Sequence, residues 1–184
     1  MTAQGFALFN STIGTCGIAW GPRGIAGLQL PESTAEATRT RLRRRWPEAV
    51  ESPPPPGVGR VLERVLGLLK GEAVDLADIP LDLDTAPEFH RKVYEVARTI
   101  PPGRTMTYGE IAKIAGVPNE SREVGQALGR NPIAIIVPCH RVLGADGKMG
   151  GFSANGGVST KRRMLEIEGA PAVGAGPLFA QQQQ

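Results

Sequence analysis

The chain has 184 residues, 41% hydrophobic and 21% charged, which excludes a wholly disordered polymer. Two cysteines exclude a disulfide-rich secreted scaffold and a four-cysteine zinc ribbon, and no run of about 18 apolar residues is present to cross a membrane. The net charge of +3 is unevenly held: residues 1–85 carry 9 Lys/Arg against 10 Asp/Glu and residues 86–170 carry 12 against 8, so a polyanionic partner is expected on the second half.

The opening MTAQGFALFNST has neither a basic nor a long apolar stretch and does not read as a signal peptide. A reducing, cytoplasmic compartment with two free thiols is the resulting expectation. Residues 5–30 alternate small, β-branched and apolar residues around Gly21-Pro22, which predicts a β-meander. Ser33 and Glu36 have capping-box spacing and open a helix expected to run to about Arg45. That helix holds five arginines between Arg39 and Arg45, read either as a phosphate-contacting patch or as a solvated face. Pro53–Pro56 forms a stiff spacer, and Val58–Lys70 has helical apolar spacing closed by Gly71. Residues 73–84 alternate apolar and acidic residues like an edge strand, with Pro80 inside it.

A domain boundary is expected near Thr85–Pro87, dividing residues 1–85 from 86–170, with residues 171–184 as a tail. The second half opens with a helix whose stripe is Phe89, Val93, Val96, Ala97 and Ile100, stopped at Pro101-Pro102-Gly103. Thr107 is expected to cap a helix over Tyr108–Ala115, and Ser121 one over Arg122–Gly129. Two short helices joined by a tight turn look like a helix-turn-helix. Ile133–Val137 is either a buried strand or a non-sheet segment before Pro138. Gly144–Gly157 is a glycine-rich loop, and Lys161–Gly169 the last helix. There is no internal repeat.

Cys139 followed by His140 offers a thiol and a base, although an isolated cysteine is more commonly a buried structural residue. Adjacent side chains in an extended chain point to opposite sides, so the two cooperate only through a turn or a bridging water. That separates the pair from a papain-type protease, whose Cys and His lie far apart.

The context makes the pair specific. The segment REVGQALGRNPIAIIVPCHRV, residues 122–142, resembles the O6-alkylguanine–DNA alkyltransferases, also called methylated-DNA–protein-cysteine methyltransferases. PPGRTMTYGEIAKIAG upstream and GGFS…KRRMLEIEG downstream match as well; the likeness is close over residues 87–170 and loose before them, through FNSTIGTCGIAWGPRGI. It implies an α+β protein, with a ribonuclease-H-like β-meander and helix domain followed by a helical, winged-helix-like domain that carries the chemistry. It also implies repair by direct reversal: O6-alkylguanine, and O4-alkylthymine with it, is flipped out of the duplex and its alkyl group moves to Cys139 in one irreversible turnover. No cofactor and no metal are needed, and a monomer binding double-stranded DNA through the minor groove, away from membranes, is expected.

The resemblance also distributes roles. His140 activates the thiol through a water. Glu168 orients that histidine, with Glu166 as its rival. Asn131 braces the active-site turn, and Tyr108 donates to the flipped guanine. Arg122 fills the vacated stack, while Ser121, Gly125, Ala127 and Gly129 lie against the DNA. The carbonyls of Cys139 and Val142 read the guanine amino group and the Ser153 N–H meets O6, with Phe152, Ala134 and Leu128 lining the pocket. Phe152 stands where many members have Tyr and Ala134 where some have Pro. Some members hold zinc in the first domain, but residues 1–85 contain one Cys and no His, so none is expected. Cys16 reads as a buried strand residue and His90 as a surface or capping residue. Three rivals remain: a lesion sensor that binds without transfer, a sequence-selective helix-turn-helix regulator, and a cysteine hydrolase of many turnovers.

Overall fold

The computed structural model describes residues 3–171; apart from Pro171, the expected tail lies outside the described residues. Three strands, β1 (Gly5–Ser11), β2 (Gly14–Gly21) and β3 (Gly24–Gln29), form the expected antiparallel meander, β1 pairing with β2 from Gly5 opposite Trp20 to Ser11 opposite Gly14. Helix α1 (Ala35–Arg45) follows, and the two-residue β4 (Val50–Glu51) adds parallel to β1, giving the order β3-β2-β1-β4.

Helix α1 lies close on the sheet because Gly17 and Gly27 make room for it. A Cβ at Gly17 would come within 2.2 Å of Leu42, and one at Gly27 within 1.9 Å of Trp46. The cap of α1 falls one residue later than expected: Thr34, not Ser33, accepts from the Ala37 N–H at 3.1 Å, and Glu36 pairs with Arg39 instead of completing a capping box.

Helix α2 (Pro56–Leu69) ends at Gly71, whose φ of +91° suits a residue without a Cβ. The strand expected over residues 73–84 is a set of turns with a single bridge, Leu81 to Ile25. Pro80 offers β3 a carbonyl but no N–H, and Asp78, Asp82 and Asp84 are drawn into ion pairs with Arg64 and Arg23.

Helices α3 (Glu88–Arg98), α4 (Tyr108–Ile114), α5 (Ser121–Gly129) and α6 (Gly157–Ile167) build the second half. Two-residue strands β5 (Met106–Thr107) and β6 (Val142–Leu143) pair in parallel beside them. On α3, Val93 and Ala97 of the expected stripe are buried, as is Ile100 just past its end, while Phe89 and Val96 are half-buried; Tyr94 joins the core, its hydroxyl donating to the Ala127 carbonyl at 2.9 Å. Thr107 caps α4 with Glu110 in a reciprocal capping box. Ser121 does not cap α5: it lies in the first turn, and the N-cap is Glu120 without a side-chain bond. Residues 133–137 form a turn rather than a strand, with Ile135 at φ +71°. Helix α6 starts at Gly157, four residues earlier than expected, after the left-handed Gly156.

One hydrophobic core runs through both halves, joining Ile18, Leu28 and Leu68 to Val93, Ile111 and Met164. Leu28 exchanges backbone bonds with Pro132 and Ala134, at 3.0 and 3.1 Å. The edge of the first sheet is thereby fixed against the turn that leads into Cys139. No helix among the described residues is long and apolar enough to cross a membrane.

Candidate active site

Pairing β5 with β6 determines the site. β5 leads directly into α4, whose first residue is Tyr108, and β6 directly follows Cys139–Arg141. The latter three residues form a single 3-10 turn after Pro138, which supplies the turn that the adjacent Cys and His require. His140 swings inward, fully buried, while Cys139 stays partly accessible on the wall of a cavity of about 290 Å³. That size lies near the lower end of small-molecule pockets, roughly 300–1,000 Å³.

Asn131 holds the turn in shape. Its side-chain amide donates to the Val137 carbonyl at 2.9 Å, and its oxygen accepts from the Ile133 N–H at 2.9 Å. These bonds hold the loop in which Ile135, a β-branched residue, adopts a left-handed backbone, a conformation that costs about 1–3 kcal/mol.

Behind the thiol lies a buried charged cluster. His140 Nε2 is 2.8 Å from Glu168 Oε1, and Arg141 donates to both Glu168 oxygens at 2.8 and 2.9 Å and to the Ile100 carbonyl at 2.6 Å. Burial alone would raise the Glu168 carboxyl; the bonds and charges of His140 and Arg141 outweigh it and hold it at about 2. Burial pushes His140 down, against the pull of Glu168, so the ring favours its neutral form. An ionised carboxylate only accepts, so Nε2 carries the ring proton and Nδ1 is left as a lone pair. Nδ1 is buried and has no protein partner among the described residues. Glu166, the rival carboxylate, is exposed.

Burial pushes the Cys139 thiol up, while the Asn131 amide and the Lys161 ammonium pull it down. Tyr108 is half-buried and also pushed up by burial, which keeps its phenol a proton donor. Its ring packs over Gly125, and its hydroxyl faces Gly150, where a Cβ would come within 2.9 Å.

The cavity brings together Cys139, Asn131, Leu128, Gly129, Ala134, Phe152 and Ser153. Val142 and Tyr108, expected at the site, are not among the residues that line it; Val142 is fully buried, its carbonyl accepts from Lys161 Nζ at 2.5 Å, and the Cys139 carbonyl accepts from the Val142 N–H. On α5, Arg122 is exposed at the first turn beside Ser121, and Gly125 and Gly129 reach the surface. Ala127 does not: it is fully buried, with its carbonyl accepting from the Tyr94 hydroxyl, so of the small residues expected against DNA it is the one that faces the core. Cys16 is sealed in β2, as expected. His90 is half-buried and meets Phe89 and Tyr94 edge-on, so it neither caps a helix nor stands free.

Two buried groups escaped the sequence reading. Arg141 was visible only as part of the Pro-Cys-His-Arg run. Lys161 is fully buried, with its ammonium 5.8 Å from the Tyr108 ring centroid and 5.9 Å from that of Phe152. The signal was its register: Lys161, Met164, Leu165 and Glu168 share one helical face, so the apolar stripe of α6 is flanked by two charges that had to be buried with it.

Residues 88–170 match the family model described as the DNA-binding domain of 6-O-methylguanine DNA methyltransferase. The chain is 38% identical over 163 residues to the methylated-DNA–protein-cysteine methyltransferase of Mycobacterium tuberculosis, covering 89% of this chain and 91% of that one. It is 35% identical over 158 residues to the protein of that name from Methanothermobacter thermautotrophicus, covering 86% and 81%. The M. tuberculosis OGT solved in complex with DNA superposes with a TM-score of 0.73 at 37% identity, covering 91% of this chain and 95% of that one.

Proposed function

The chain belongs to the family of methylated-DNA–protein-cysteine methyltransferases, and from that membership we propose how its own residues divide the work. The reaction is DNA repair by transfer of an alkyl group from DNA to a protein cysteine. Cys139 is the acceptor; what carries this assignment is an accessible thiol on the cavity wall with the buried His140–Glu168 pair directly behind it.

An O6-alkylguanine, or an O4-alkylthymine, must leave the stack to present its alkyl carbon in line to a nucleophile. His140 Nδ1 takes the thiol proton through one water, and Glu168 holds the ring in the tautomer that leaves Nδ1 free to do so. The sulfur forms a bond to the alkyl carbon as the carbon–oxygen bond breaks, and the electron pair of that bond goes to the base. Tyr108 then supplies a proton to the leaving guanine, and the proton lost by Cys139 restores the balance. The product is a thioether, which has no carbonyl for water to attack, so the protein works once.

Arg122 enters the vacated stack, because a planar guanidinium stacks on bases and bonds the orphaned partner. Ser121, Gly125 and Gly129 face the minor groove, where readout is degenerate and suits repair without sequence preference. Residues 1–85 are read as the ribonuclease-H-like domain and residues 86–170 as the winged-helix-like one. Every group used lies on one chain, which fits a monomer acting in the reducing cytoplasm. No step calls for a cofactor or a metal.

The test is stoichiometric. Titration with O6-methylguanine duplex should end at one alkyl group per protein, with a mass gain of roughly 14 Da confined to Cys139. Repeated turnovers would point to a hydrolase, and lesion binding without an adduct to a sensor.

A further inference from the structure

The cavity beside Cys139 is not walled by the second half alone. Leu28, Gln29 and Leu30 of the sheet edge, together with Arg41 and Arg45 of α1, form its other side, facing Arg130 at the end of α5. Three guanidiniums therefore border a cavity that, on the functional reading above, receives a base carrying no charge. Cations at such a place call for an anion that arrives with the base.

The arginines of α1 divide by face. Arg39 and Arg43, four residues apart, both pair with Glu51 at 3.0 and 3.1 Å and are thereby neutralised against the sheet. Arg41 and Arg45, also four apart, turn toward the cavity. Arg41 shares Glu32 at 3.1 Å; Arg45 and Arg130 have no carboxylate partner among the described residues. Arg45 instead lies 5.3 Å from the Trp46 ring centroid, and burial followed by the charge of Arg41 pushes its pKa down. Two like charges at this spacing destabilise a helix. Their convergence on Arg130, from the opposite half of the chain, is a cost that a bound anion would reverse.

We propose that Arg41, Arg45 and Arg130 form a phosphate clamp on the lesion strand, shared between the two halves, that holds the backbone of the everted nucleotide while its base occupies the Cys139 cavity. The inference rests on the alkyl-transfer reading, and it assigns to residues 1–85 a direct part in DNA binding. The guanidinium fork suits phosphate oxygens, and each such contact displaces condensed counterions from the duplex.

The experiment compares the wild type with Arg45→Gln, Arg130→Gln and, as a control on the same helix, Arg43→Gln. Two substrates are used: O6-methylguanine duplex over a range of salt, and free O6-benzylguanine. Arg45→Gln and Arg130→Gln should each slow transfer from the duplex about tenfold at low salt and make the log–log salt dependence shallower by about one unit. Transfer from the free base should stay within twofold, Arg43→Gln should match the wild type, and Arg45→Lys should restore the slope, because it keeps the charge. Unchanged salt slopes in both Gln variants, or equal losses on duplex and free base, overturn the clamp while leaving alkyl transfer standing. A wild type that takes an alkyl group from neither substrate overturns the functional reading itself. Should Arg45→Gln fail to fold, Arg130→Gln carries the same test from the other half.

Discussion

The two cysteines of this protein lie in two kinds of surroundings, and the contrast shows what turns a thiol into an acceptor. Cys16 sits in β2, an inner strand of the first sheet, wholly enclosed, with the Ser11 hydroxyl at 3.5 Å and the Gly14 carbonyl at 3.8 Å as its polar neighbours among the described residues, and burial raises it to about 11. Cys139 is also raised by burial. Burial therefore does not separate the two. What separates them is a cavity on one side of Cys139, and on the other a neutral imidazole, a carboxylate and an ammonium. A thiol with a raised pKa is a poor nucleophile until a base removes its proton at the moment of attack, the part proposed above for His140 beside Cys139.

The largest effect should come from removing the favoured sulfur. Cys139→Ala should abolish alkyl uptake, with no adduct detectable by mass spectrometry, while retaining lesion binding. An adduct appearing on Cys16 in that variant would mean that access, not the His140–Glu168 pair, is what distinguishes the thiols.

Next is Glu168, which serves His140 and Arg141 together. Glu168→Gln should lower the transfer rate about 10- to 100-fold, since a neutral amide no longer fixes the imidazole tautomer. Glu168→Ala should in addition cost about 3–5 kcal/mol in denaturant unfolding, because Arg141 is left buried without its partner. The pair also sets acid stability. The carboxyl titrates near 4.5 when unfolded and at about 2 when folded, so its contribution is complete above about pH 5 and is lost as the pH falls from 4.5 toward 2. Wild type and Glu168→Gln should converge in stability at the acid end of that window.

Arg122→Ala should slow transfer from duplex DNA about thirtyfold, within the range of one lost stacking contact, and leave transfer from the free alkylated base unchanged. Equal losses on both substrates would move Arg122 from the stack to the cavity.

A smaller change is expected at Lys161. Replacing it with Met removes the charge that pulls Cys139 down, so the thiol rises further and the pH–rate profile shifts to higher pH. Transfer at pH 7 should fall about tenfold, less at pH 9, and Lys161→Arg should restore the profile. A uniform loss at every pH would make Lys161 only a brace for the Val142 carbonyl.

The legible parts of the molecule were those with local signals. The meander, α2 and the helix pair follow from period and punctuation, and Thr107 with Glu110 fulfils a cap visible in the spacing. The buried cluster was half visible. Cys139 and His140 were singled out by their adjacency and Glu168 through the family likeness, but Arg141 and Lys161 were passed over because a cation inside the protein has no signature apart from the partners that folding brings to it. The misplacements have the same origin. Ser121 has the chemistry of a cap, yet the chain enters α5 one residue earlier. Ala127 is small like Gly125 and Gly129, yet its side chain is enclosed in the core that α5 packs against, and its carbonyl accepts from the Tyr94 hydroxyl 33 residues away. Residues 73–84 alternate like a strand, but Pro80 and the pull of Arg23 and Arg64 on their carboxylates leave a single bridge.

The smallest effect is the one that closes the comparison from the other side. Cys16→Ala removes a sulfur that meets neither cavity nor base, so alkyl uptake per protein and its rate should match the wild type within twofold. The cost should appear in stability alone, as about 1 kcal/mol for the small void left in β2. Cys16→Ser should cost more than Cys16→Ala, because a hydroxyl at that position is wholly buried and must compete for the Ser11 hydroxyl and the Gly14 carbonyl. The two outcomes are read independently, one by alkyl titration and one by denaturant unfolding. If Cys16→Ala lowered the transfer rate while its stability held, the sheet would be transmitting strain to the Pro132–Ala134 contact at Leu28, and the two thiols would not be the separate cases their surroundings describe.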